Sequence, residues 1–136
     1  AAGVEIPKNG SVFISVRDTD KQFLSEIVTS LNEEGFELIA TKGTASVIKE
    51  MGFKVKPIKK VLEGRPNIID LMKNNDVNLV INTTEGRESI QDSSSIRRTA
   101  LDQKICCTTT IQGAKAICEV LSKKVDWTYQ KLQDMN

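Results

Sequence analysis

The chain contains no histidine. That removes both the commonest general base at neutral pH and the commonest metal-ligating side chain. Cysteine is scarce. Cys106, Cys107 and Cys118 form an odd set with two members adjacent in an apolar run. This predicts reduced thiols in a cytoplasmic-type compartment, not a disulfide framework or a zinc site. Aromatic residues make up 4% of the chain, too few for base-stacking platforms. Charge of either sign is balanced, 19 basic against 18 acidic residues, and a net charge of +1 excludes a nucleic-acid binder held by phosphate neutralisation. No apolar run reaches transmembrane length and no secretory signal opens the sequence, so no membrane partner is expected. The first residue is alanine, which either a tag remnant or excision from a longer polypeptide would leave.

What is present is an alternation of strand and helix patterns over 136 residues, enough for one domain with a real core and too few for two. "SVFISV" (Ser11–Val16) reads as a strand, and Phe23, Leu24, Ile27, Val28 and Leu31 then recur at helical spacing. Gly35 falls where that helix would end in a left-handed conformation, before the strand "FELIA". The grammar repeats with a helix over Ser46–Met51, then Gly52 and "FKVKP", closed by Pro57. A helix over Asn67–Lys73 leads to "VNLVIN", one over Ser94–Gln103 to "KICCT", and a fifth covers Gly113–Lys123. Residues 125–136 read as a C-terminal surface helix beside a core spanning residues 10–124. The expected architecture is one doubly wound α/β domain over residues 1–136, a five-stranded parallel sheet flanked by helices.

In such sheets ligands bind beyond the carboxyl ends of the strands, beside helix N-termini. Arg17, Asp18 and Lys21 follow the first strand and "TKGT" (Thr41–Thr44) the second. Lys59 and Lys60 follow the third, Asn82, Thr83 and Thr84 the fourth, and Thr108, Thr109 and Thr110 the fifth. The opposite ends carry "EEG", "EMG", "NND" and "DQK", ordinary solvated turns. Hydroxyls, amides and lysines thus collect on one edge. "TKGT" reads as an anion cradle, with Gly43 admitting close backbone approach, or as a plain threonine N-cap with a turn glycine. Lys21 and Lys60 on neighbouring strand ends favour phosphate. Asp92 or Ser93 is the expected N-cap of the fourth helix. Arg97 and Arg98 would then fall near its first turn, where cations oppose the helix dipole unless an acidic neighbour or another domain meets them.

The segments "SVRDTDK", "GFELIATKGTA", "KKVLEGRPNIID", "LVINTTEGR" and "DSSSIRRTAL", in that order, resemble the C-terminal regulatory domain of the bacterial-type carbamoyl phosphate synthetase large subunit, from about Gly10 to about Lys124. The resemblance implies a methylglyoxal-synthase-like α/β fold and a cytoplasmic location. It implies a domain without chemistry, metal or cofactor of its own, part of an ATP-dependent ligase of pyrimidine and arginine biosynthesis. Its effectors would be nucleoside monophosphates, UMP as inhibitor and IMP as activator. By the same resemblance Lys21, Thr41, Gly43, Thr44 and Lys60 would hold the phosphate, with Val61 beside the nucleotide. Asn82, Thr83 and Thr84 would meet ribose and base, and Asp92, Ser93 and Ile96 would wall the base. Thr109 would touch ornithine at an interface with the catalytic body, with Cys107 and Thr108 beside it. Implied partners are the other domains of the large subunit and the glutaminase small subunit. An N-acetylglutamate effector belongs to urea-cycle relatives, which lack the "TKGT…INTTEGR" combination.

Two other readings stay open. Methylglyoxal synthase, a phospholyase acting on dihydroxyacetone phosphate, shares the fold and the phosphate cradle. Its catalytic aspartate, however, falls at Arg65 and its histidine at Asp92, and further family aspartates fall at Glu85 and Ser95. An arginine accepts no proton at physiological pH. The other is a docking module that uses "VLEGRPN" and "SSSIRR". Arg65, Arg97 and Arg98 would then make inter-domain contacts, and charge reversal at Arg97 would abolish regulation without touching effector affinity.

Overall fold

Runs of β-branched and aromatic residues with both neighbours apolar can be satisfied only in the middle of a covered sheet. Phe13, Ile14, Val80 and Ile81 illustrate this: each is fully buried, and adjacent residues point to opposite faces of the sheet. The computed structural model describes residues 7, 9–59, 64–83 and 87–122, with backbone only for 87–93. Its strands are β1 (Ser11–Ser15), β2 (Glu37–Thr41), β3 (Lys56–Ile58), β4 (Leu79–Asn82) and β5 (Cys106–Thr108). The helices are α1 (Leu24–Glu33), α2 (Lys42–Glu50), α3 (Ile68–Lys73), α4 (Arg87–Gln103) and α5 (Ile111–Ser122), and a 3-10 turn, Asp18–Phe23, leads into α1.

All strands are parallel, in the order β3-β2-β1-β4-β5. One core lies under α1, α2 and α5, built on Val12, Ile14, Leu38, Ala40, Leu79 and Ile81. The other packs α3 and α4 onto Phe13, Ile39 and Val80. The expected doubly wound α/β fold is what the chain adopts. The order reverses between β1 and β4, which is where such folds open a crevice.

Local sequence explains most boundaries. Gly35 and Gly52 adopt φ of 88° and 93°, the left-handed exits expected after α1 and α2. Asn67 caps α3 in a reciprocal box. Its side chain accepts from the Ile69 N–H at 2.9 Å, while Asp70 accepts from the Asn67 N–H at 2.8 Å. Pro57 lies inside β3 and does not close it. β3 is an edge strand, where a missing N–H breaks no ladder.

Two expected boundaries are corrected. α2 begins at Lys42, not Ser46, so Gly43 and Thr44 belong to its first turn and Gly43 is not a turn glycine. Thr41 keeps an extended backbone, φ −68° and ψ 159°, and the helix follows with no loop between. α4 begins at Arg87, not Ser94, so Asp92 and Ser93 lie within the helix and neither is its N-cap. Arg97 and Arg98 therefore sit in its middle turns, away from the N-terminal dipole. The polar run Asp92–Ser95 reads as a cap because such residues favour caps. The helix continues through it because Ile96 and Ala100 bury against the sheet one turn later.

Candidate functional site

Strand register lines up the carboxyl ends. Thr41 pairs with Ile58 and Ser15 with Asn82, while Ile14 pairs with Ala40, which puts Ser15 level with Thr41. The residues just beyond are bound to one another. The Thr83 N–H donates to the Ser15 carbonyl at 2.9 Å and the Arg17 N–H donates to Thr83 Oγ1 at 2.9 Å. The Val16 N–H donates to Thr44 Oγ1 at 3.3 Å, and Thr41 Oγ1 lies 3.2 Å from Ser15 Oγ and 3.5 Å from Thr44 Oγ1. Thr41, Thr44, Asn82 and Thr83 are all buried. The threonine hydroxyls thus knit the edge as well as line it.

Lys21, Thr41, Gly43 and Thr44 are brought together as expected. Lys21 reaches back from the 3-10 turn, its Nζ 2.6 Å from Asp18 Oδ1 and 3.6 Å from where a Cβ on Gly43 would stand. The ammonium therefore sits over the first turn of α2. The Thr41 side chain makes no capping bond, so it leaves the first-turn N–H groups for another acceptor. An ammonium above first-turn amides, with two hydroxyls beneath, has the charge and donor set that a phosphate monoester requires.

Thr83 and Thr109 line a second cleft of about 300 Å³. Its charged walls are Arg17, Asp20 and Lys115. Asp20 is buried and accepts from Arg17 Nε at 2.8 Å, and Lys115 Nζ stands 4.6 Å from the Phe23 ring centroid. Arg17 belongs to the residues that follow the first strand, but Asp20 and Lys115 do not stand out in the sequence. Their signals are weak: an acid three residues after an arginine, and a lysine inside an ordinary amphipathic helix.

Other expected residues lie elsewhere. Ile96 is a core residue, packed with Phe13 and Val80. Arg97 and Arg98 are exposed on α4. Arg65 precedes α3 and pairs with Asp70, Nη2 to Oδ1 at 2.6 Å. That contact raises the guanidinium's pKa and holds the Asp70 carboxyl below its ordinary value, with the Asn67 N–H assisting. Lys60, Val61 and Thr84 lie outside the described residues, as does the segment 125–136, and the side chains of Asp92 and Ser93 are not among those described. Cys106, Cys107 and Cys118 are free thiols. Among the described residues no helix is long and apolar enough to cross a membrane.

The family model of the MGS-like domain matches residues 24–109. The carbamoyl phosphate synthase large chain of Pseudomonas aeruginosa is 53% identical over 131 residues, covering 96% of this chain and 12% of that one. The large chain of Pseudomonas syringae pv. tomato is 51% identical over the same shares. This chain therefore spans about an eighth of these relatives' length. A crystal structure of methylglyoxal synthase from Elizabethkingia anophelis superposes with a TM-score of 0.66 at 17% identity, covering 85% of this chain and 82% of that one, which bears on the fold alone. With the family model matching well over half of its residues, the chain belongs to the MGS-like domain family.

Proposed function

We propose that this domain is the allosteric regulatory part of a glutamine-dependent carbamoyl phosphate synthase large chain, and that it binds nucleoside monophosphates at the carboxyl edge of its sheet. The observation that carries the reading is the placement of the Lys21 ammonium over Gly43, at a helix start the Thr41 side chain does not cap. The phosphate would lie between Lys21 and the first turn of α2, with Lys60 completing the charge. Ribose and base would extend toward Asn82, Thr83 and Thr84, past Asp92 and Ser93. UMP as inhibitor and IMP as activator fit such a site, since both present the same phosphate and differ in the base.

Ornithine would have a separate place. The cleft at Thr109 offers Asp20 to an ammonium and Arg17 and Lys115 to a carboxylate, as an amino acid requires. A methylglyoxal-synthase-like reaction is less well supported. The position of that family's catalytic aspartate is Arg65, a cation already engaged by Asp70. An effector shifts an equilibrium only through unequal contacts with two states, so regulation must pass through surfaces facing the rest of the large chain and its glutaminase partner.

The test is carbamoyl phosphate synthesis by the full-length enzyme, wild type and Thr44→Ala, titrated with UMP and IMP. The reading predicts opposite responses to the two nucleotides, both shifted to higher concentration by the substitution. Wild-type activity indifferent to both nucleotides would overturn it.

A further inference from the structure

On the face of the sheet away from α5, α3 and α4 leave a groove of about 380 Å³ that runs into a second hollow along α3. Ile69 and Thr99 line it, and the Thr99 hydroxyl is turned inward to the Ser95 carbonyl at 2.9 Å. Arg65, Lys73 and Arg98 are its cations and Asp70 its carboxylate among the described lining residues. Asp70 is bonded to Arg65 at 2.6 Å and to the Asn67 N–H at 2.8 Å and also feels the charge of Lys73, so one carboxylate faces three cations among the described lining residues. In a chain with 19 basic and 18 acidic residues, the described lining of this groove thus carries an excess of positive charge.

A cationic rim around a partly apolar floor is the composition of a protein-docking surface. We infer that the α3–α4 groove receives an acidic segment of the same large chain, carboxylates meeting Lys73 and Arg98 and an apolar side chain meeting Ile69. The occupant follows from charge complementarity and from length, since 88% of each long relative lies outside the matched region. The inference rests on the proposed place of this domain in a large chain. It adds the surface through which a nucleotide at the sheet edge would be felt elsewhere, because α4 continues from the carboxyl end of β4 to the groove.

Hydrogen exchange of the α3 and α4 segments, in the 136-residue chain and in the full-length large chain, tests it directly. The expected result is exchange slower by about tenfold or more in the large chain, as burial of an exposed helix face gives. A Lys73→Glu/Arg98→Glu double variant should return those rates to the isolated-chain values while β1 stays fully protected, which shows that the fold survives. Equal rates in the two wild-type proteins, or protection that survives the charge reversal, would overturn the inference. So would protection in the isolated chain that grows with concentration, which would assign the groove to a second copy. None of these readings needs a nucleotide, so a large chain that ignores UMP and IMP would count against the proposed function without deciding the groove.

Discussion

The ammonium of Lys21 stands over the backbone of Gly43, 3.6 Å from where a Cβ would project. That distance is ordinary van der Waals contact and Gly43 is helical, so the fold accepts a methyl group there. Gly43→Ala should leave the melting temperature unchanged or raise it, since alanine gains up to about 1 kcal/mol over glycine in a helix. The methyl group would nevertheless occupy the space between the ammonium and the first-turn amides. Nucleotide affinity should fall by about three- to tenfold, and calorimetry beside a thermal melt separates the two effects.

Thr44 and Thr83 are structural as well as candidate ligand groups. Each hydroxyl accepts a backbone N–H from the residues after β1, Val16 and Arg17 respectively. Thr44→Val and Thr83→Val keep the shape and orphan those donors, so each should cost about 1–3 kcal/mol in urea denaturation. Unchanged stability in both would mean that the strand ends are not tied together in this way.

Acidification should loosen α3. Asp70 titrates below its ordinary value because Arg65 and then the Asn67 N–H bond its charged form. A lowered carboxylate pKa contributes stability that is present above the unfolded value, about 4, and is lost as pH falls through the folded one. The stability gap between wild type and Asp70→Asn should be present at pH 7 and close progressively below about pH 4. A gap independent of pH would contradict the assignment.

Cys107 should be inert. Burial pushes its thiol up to about 11, against the opposing charge of Arg97. Alkylation at pH 8 should therefore run at least about tenfold slower than that of a free cysteine. A raised thiol pKa stabilises below the unfolded value and is lost above it, so stability should decline between pH 9.0 and about 11. Cys107→Ser should flatten that decline.

How much of this was legible in the sequence depends on what carried the signal. Continuous apolar runs and glycine exits marked the five strands and the helices between them, because burial on both faces leaves few other patterns. Helix starts were less legible. Thr41 ends a strand and begins a helix with no residue between, and the polar run Asp92–Ser95 looks like a cap although α4 starts at Arg87. Capping residues are recognised by composition, whereas the true boundary is set by tertiary burial of Ile96 and Ala100. The pairing of Arg17 with Asp20 is local to the 3-10 turn and left only the weak trace of an acid three residues after an arginine, whereas Lys115 lying over Phe23 depends on helix placement in space and left almost none.

In the proposed function a nucleotide phosphate lies under Lys21. In Lys21→Met, loss of the exposed Asp18 ion pair should cost at most about 1 kcal/mol of stability. The decisive measurement is calorimetric titration of the 136-residue chain with UMP and with IMP, for wild type and Lys21→Met. Binding to the wild type should weaken by roughly ten- to hundredfold in the variant, the loss of a charge-assisted hydrogen bond. Binding of equal strength to both proteins would contradict it.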